Sequence, residues 1–160
     1  MRMQGKIGLV TAAGSGMGKA GAIRFAREGA SVSVVDINPE AVDAVVKEIK
    51  DAGGNAIGIV ADLTKDEESK RIVTETANHF EGLDFVWNHV GYPGPASIEG
   101  IEMKDFELTL DLNLRTILVT TEAALSEFRI AGVKNNLSFL KKILASSDFV
   151  NGRCHTRWVE

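Results

Sequence analysis

Six residues near the start of the chain could cradle phosphate: Ala12, Gly14, Ser15, Gly16, Met17 and Gly18, within the run Thr-Ala-Ala-Gly-Ser-Gly-Met-Gly at residues 11–18. Glycine backbones take positive φ and admit a ligand where a side chain would block it. The run follows a short apolar segment, residues 7–10, and precedes a periodic one carrying Ala20, Ile23, Phe25 and Ala26. That pattern reads strand, tight loop, helix. The free N–H groups and positive dipole end in the first turn of such a helix suit a pyrophosphate. A second apolar run, residues 31–35, closes on Asp36. This is the spacing at which a carboxylate can hold an adenosine ribose. Glycines in a strand–helix turn also serve packing alone, and an acid at a strand end can be merely solvated. The order of strand, loop, helix and acid-tipped strand is what favours nucleotide chemistry.

These groups need a scaffold, and the rest of the chain supplies one. Strands are expected over residues 6–10, 31–36, 55–61 and 83–87. A first helix over residues 17–28 stops at Gly29. A second starts at Asn38-Pro39-Glu40, with a capping side chain and proline in the first turn, and stops at Gly53-Gly54. Thr64 is expected to cap a third helix. Asp66, Glu67 and Glu68 lie in its first turn, as the dipole favours, and Ile72, Val73 and Ala77 form its inner face. The run Gly91-Tyr92-Pro93-Gly94-Pro95 is turn chemistry. A long helix is predicted over residues 104–128, with Phe106, Leu110, Asn113, Ile117 and Leu118 among its periodic positions and lying against the sheet. Short, β-branched strands alternating with helices predict a doubly wound parallel sheet of order 3-2-1-4, with helices on both faces. The expected organisation is a nucleotide-binding domain over residues 1–130 and an atypical tail over 131–160.

Bulk properties bound the rest. With 160 residues, 44% of them hydrophobic and 25% charged, the chain can build one domain with a real core. A net charge of −4 gives no reason to expect nucleic acid or an anionic membrane as a partner. The one cysteine, Cys154, cannot form an internal disulfide and fits a reducing compartment. No signal-peptide core opens the sequence and no apolar run approaches spanning length, so a cytoplasmic protein is expected. No metal-ligand cluster is expected.

Taken together, residues 6–128 resemble the N-terminal half of the short-chain dehydrogenase/reductase family. Its Thr-Gly-x-x-x-Gly-x-Gly motif aligns on residues 11–18, with Ala12 in place of the first glycine. Its acid after strand two is Asp36, and its Asp-Leu pair after strand three is Asp62-Leu63. Its Asn-Asn-Ala-Gly segment aligns on Asn88-His89-Val90-Gly91, and its active-site asparagine on Asn113. The resemblance implies a Rossmann-type fold and a nicotinamide dinucleotide. The six loop residues named above would hold it, together with Asp36 and Ile37, Asp62 and Leu63, and Asn88, Val90 and Gly91. Asp36 would accept both ribose hydroxyls and repel a 2′-phosphate, so NAD is favoured, with Lys19 keeping NADP open. His89, where relatives carry a small residue, reads as a pocket wall. Asn113 would be catalytic, holding a water of the proton relay. The substrate would be a small alcohol or ketone, and the long helix would pair subunits into a homo-oligomer.

The resemblance stops where the family's chemistry begins. That chemistry uses a serine followed by Tyr-x-x-x-Lys, the lysine lowering the tyrosine pKa so that it can pass a proton. The one tyrosine here, Tyr92, is followed by Pro93-Gly94-Pro95-Ala96 and precedes the long helix. In the tail, Leu137, Leu140, Ile143 and Leu144 suggest a short basic helix around Lys141-Lys142. Alternatively, residues 143–147 resemble the family's fifth strand and its serine, at Ser146 or Ser147. An impaired NAD-dependent oxidoreductase is therefore expected. Two other readings stay open: a non-catalytic dinucleotide-binding or interaction protein, and another Rossmann enzyme such as a SAM-dependent methyltransferase. The loop spacing and Asn113 argue against the last.

Overall fold

A computed structural model describes residues 1–127, together with 142, 145 and 146. The chain divides into two compact units, Met1–Arg129 and Ile130–Glu160. The sheet, its helices and the candidate site all belong to the first unit. The expectations for the tail fall almost wholly outside the described residues. Of the residues they name, Lys142 is helical and Ser146 lies in a bend.

Four strands form one parallel sheet of order β3-β2-β1-β4: β1 (Ile7–Thr11), β2 (Ser31–Asp36), β3 (Asn55–Val60) and β4 (Phe85–Trp87). Three helices connect them: α1 (Gly16–Arg27), α2 (Pro39–Asp51) and α3 (Asp66–Phe80). Pleating sends alternate residues to opposite faces. Val10, Val32, Val34 and Ala56 pack under α1 and α2 with Ala22, Ala26, Val45 and Ile49. Leu9, Val35 and Ile59 face the other way, against Ile72, Val73, Leu83 and Ala124. Both faces are covered, which explains why β1 and β2 are buried at consecutive positions rather than at alternate ones. A buried hydroxyl pair, Thr76 Oγ1 and Ser33 Oγ at 2.8 Å, ties α3 to the middle of β2: the Thr76 proton goes to the Ile72 carbonyl at 2.7 Å, which leaves Ser33 to donate.

Three expectations need correction. Thr64 does not cap α3: its hydroxyl donates to Asp62 Oδ1 at 2.6 Å, and Lys65 occupies the N-cap without a side-chain bond. The carboxylate two residues upstream also accepts the Thr64 N–H, making an Asx turn that outcompetes capping. The long helix is not uniform. It comprises α4 (Met103–Leu110), a π turn (Asp111–Arg115) and α5 (Thr116–Glu127), with the Thr116 N–H bonded to the Asp111 carbonyl five residues back. One extra residue is inserted, which a search for 3.6-residue periodicity does not register. Finally, the apolar positions Phe106, Leu110, Ile117 and Leu118 are exposed. The inner face of α5 is instead Thr116, Thr120 and Ala124, packed beside α3. Small residues allow the two helices to approach closely, so the bulky stripe is left outside.

Candidate functional site

Chain ends in a parallel sheet expose the carboxyl tips of all strands on one side, and the candidate residues gather there. The tip of β1 leads into the glycine loop. Ala12 takes the left-handed conformation at φ +50°, which costs a residue with a Cβ about 1–2 kcal/mol. Its carbonyl then lies only 2.1 Å from where a Cβ on Gly18 would stand, so position 18 admits glycine alone. Ser15 is the N-cap of α1 and makes no side-chain capping bond, and no acidic residue lies in the first turn. Met17 projects outward, 71% exposed.

Asp36, at the tip of β2, holds this loop in place. Its Oδ2 accepts the Gly14 N–H at 2.9 Å and its Oδ1 accepts the Asn38 N–H at 3.1 Å. A carboxylate offers about four acceptor positions, so each oxygen keeps room for one further donor. Lys19, the basic residue nearest the loop, is paired with Glu48 at 2.9 Å.

Between the tips of β1, β2 and β3 lies a cleft of about 230 Å³, lined mostly by apolar groups. Ala12, Asp36, Ile37, Asp62, Leu63 and Val90 all line it, as expected from the sequence. Leu108 and Leu112 complete its wall, and sequence reasoning missed them. Their i, i+4 spacing on the long helix was the available signal. Asp62 is held below the usual carboxylate range, chiefly by the Thr64 hydroxyl and further by the Thr64 N–H and Lys65.

Beyond β4 the candidates are engaged with one another. The Thr11 hydroxyl accepts the N–H groups of His89 at 2.8 Å and Val90 at 2.9 Å, fastening the tip of β1 to the segment after β4. The His89 ring lies against Trp87, with centroids 5.0 Å apart, and beside Gly18. Asn113, in the π turn, grips the backbone of Tyr92 twice: Oδ1 accepts its N–H at 2.8 Å and Nδ2 donates to its carbonyl at 2.7 Å. Gly91 is what lets the amide come so close, since a Cβ there would stand 2.8 Å from Oδ1. Asn88 Nδ2 reaches Thr121 Oγ1 at 3.4 Å, while its buried Oδ1 has no hydrogen-bond partner among the described residues. Gly14, Ser15, Gly16, Met17, Gly18, Asn88, Gly91 and Asn113 are not among the residues that line the cleft. No cluster of metal-ligating side chains occurs among the described residues. No helix there is long and apolar enough to cross a membrane.

A parallel α/β sheet with an uncapped glycine loop after β1 and a carboxylate at the tip of β2 defines a Rossmann-type domain. The profile of the short chain dehydrogenase family matches residues 6–135. The chain belongs to that family. It is 36% identical to an uncharacterized oxidoreductase of Thermotoga maritima over 132 residues, 82% of this chain and 52% of the relative. It is 37% identical to the 7alpha-hydroxysteroid dehydrogenase of Escherichia coli over 114 residues, 71% of this chain and 44% of the relative. Among solved structures, a short chain dehydrogenase from Burkholderia cenocepacia in complex with NADP superposes with a TM-score of 0.79 at 34% identity, covering 82% of this chain and 54% of the other. The chain thus spans about half the length of the relatives it matches.

Proposed function

We propose that residues 1–127 form the dinucleotide-binding half of a nicotinamide-dependent oxidoreductase, acting by ancestry on a small alcohol or ketone, and that the cofactor is NAD(H) in preference to NADP(H). The observation that carries this reading is the cleft joining Ala12, Asp36, Asp62 and Val90, with the glycine loop tied to it through the Gly14 N–H on Asp36. The residues fit such a group. The first turn of α1 has donors with no acidic side chain competing for them. The apolar cleft suits an adenine, with Ile37 and Leu63 among its walls. Asp36 keeps acceptor capacity for ribose hydroxyls, and Lys19 is engaged by Glu48 rather than free for a 2′-phosphate. When bound, the nicotinamide supplies a hydride donor or acceptor. The chain's own contribution is to bind and orient it: Gly14, Ser15, Gly16, Met17 and Gly18 at the pyrophosphate, Asp36 at the ribose, and Asp62 beside the adenine. Asn88, Val90 and Gly91 would flank the nicotinamide end, and Asn113 would order a water. Titration with NADH and NADPH tests the assignment, and equal or tighter NADPH binding would sink it.

A second reading, binding without turnover, is favoured by a specific observation. The sequence contains no Tyr-x-x-x-Lys, and Asn113 has both amide atoms engaged by Tyr92. A positioned acid–base group contributes about 10²–10⁴-fold to such reactions. NADH production over an alcohol panel is therefore expected to stay at background. Robust turnover abolished by Tyr92→Phe would overturn this. We further propose a cytoplasmic homo-oligomer paired through the stripe Phe106, Leu110, Leu114, Ile117 and Leu118, all exposed. Sedimentation showing a monomer at every concentration would count against it.

A further inference from the structure

The π turn touches both halves of the site. On one side, the Thr116 hydroxyl lies 2.7 Å from the carbonyl of Leu63, a wall of the cleft, and 2.9 Å from the carbonyl of Asp111, the first residue of the turn. Beside it, Arg115 makes a two-point ion pair with Asp66, at 2.8 and 3.0 Å, on the first turn of α3. On the other side, Asn113 grips the backbone of Tyr92. Leu108 and Leu112, which close the cleft, lie at the junction where α4 meets the turn. Thr116 is 2% exposed, so its hydroxyl has no water to fall back on and must choose between the two carbonyls. A π insertion is itself a register choice within a helix, and such single-turn insertions are frequent at functional sites.

We propose that Thr116 is a positioning residue that couples the cleft to Tyr92. Its single proton registers the Leu63 carbonyl against the π turn, so a ligand that moves Leu63, Leu108 or Leu112 moves Asn113 and the backbone it holds. The coupling concerns the same cleft as the dinucleotide reading and rests on it.

Tyr92 is the chain's one tyrosine, so ¹⁵N-tyrosine labelling of the full chain gives a single backbone amide signal, from the N–H that Asn113 accepts. Adenosine 5′-monophosphate is the probe, because it carries the adenine half of a dinucleotide and no nicotinamide. Its own binding is followed separately by saturation transfer to the adenine protons. In the wild type the Tyr92 signal should shift and saturate at the same concentration as the adenine response. Thr116→Ser should keep that shift. Thr116→Val should bind the nucleotide and leave the signal in place. A Tyr92 signal that stays fixed in the wild type while the adenine protons report binding overturns the coupling alone, whether or not the Val variant folds. A shift of equal size in Thr116→Val overturns the role of Thr116. No adenine response in the wild type overturns the dinucleotide reading and the coupling with it.

Discussion

The carboxyl tips of β1 to β3 and the carboxyl tip of β4 are built on opposite principles. Around the first three, backbone groups and a single carboxylate hold an open cleft, with apolar walls facing a cavity of about 230 Å³ and no side-chain cap on the first turn of α1. Around β4, polar side chains close on neighbouring backbone: Asn113 on Tyr92, Thr11 on His89 and Val90. β4 itself is only half-buried, whereas Leu9 and Val10 of β1 and Val32, Val34 and Val35 of β2 are fully enclosed. The difference teaches that one edge of a sheet can carry an open apolar cleft beside a segment closed by its own hydrogen bonds.

The sharpest way to break the first region is Gly18→Ala. The added methyl would stand 2.1 Å from the Ala12 carbonyl oxygen and 2.8 Å from its carbon, both backbone atoms that cannot swing aside. A cost of about 3 kcal/mol is expected from overpacking. Urea unfolding would show it, and a midpoint at the wild-type value would mean the loop is not the rigid element described. Next in size is Asp36→Ala, which frees the Gly14 and Asn38 N–H groups. Hydrogen bonds to a charged acceptor contribute about 1.5–3 kcal/mol each. Partial solvation lowers that here, so a loss near the bottom of the range is expected, together with loss of discrimination between NADH and NADPH. Unaltered discrimination in parallel titrations would separate the loop-holding role of Asp36 from ribose recognition.

Asn113→Ala probes the second region. It removes two hydrogen bonds at a solvent-accessible place, worth about 1–2 kcal/mol together. Faster hydrogen exchange at the Tyr92 amide, with the core amides of β1 and β2 unchanged, is the expected result. A global loss of protection would instead show that the two regions stand or fall together. The smallest effect concerns pH. The folded pKa of Asp62 is lowered, first by the Thr64 hydroxyl, so its contribution is present above the unfolded value of about 3.9 and is lost as pH falls through the folded one. The stability gap between wild type and Asp62→Asn should therefore be constant from pH 7 to 5 and shrink below about 4. A gap that persists at pH 2 would remove Asp62 as the titrating group.

Much of this was legible in the sequence because local chemistry wrote it there. The Asn38 cap and the strand at β2 follow from a capping residue and an apolar run, and Asp36 from its place at the end of that run, while the strand order came with the fold class and the place of Asp62 with the family resemblance. What was not legible depended on contacts distant in sequence or on competition between near-equal local options. Thr64 could cap a helix or bond Asp62, and only the placement of the carboxylate decides. The π turn leaves residue types unchanged and alters only register. The outward stripe from Phe106 to Leu118 has the spacing of a core face, and nothing in periodicity says which side the core is on. Leu108 and Leu112 carried a readable pattern, but their partner across the cleft, Leu63, is a loop residue.

The central place of β1 has a consequence in time. It precedes the other three described strands in the chain and lies between β2 and β4, and its Thr11 hydroxyl finds the His89 N–H 78 residues later. At synthesis rates of roughly 5–20 residues per second, about 4–16 seconds pass between the emergence of Thr11 and of its partner. Through that interval β1 can pair only on its β2 side, and its other edge stays open to any extended strand nearby. Parallel pairings over such separations are slow to form even once the chain is complete. The nascent chain is therefore most exposed to misassociation before β4 emerges, and refolding from denaturant should slow most when the β1–β4 contact, rather than β1–β2, is weakened.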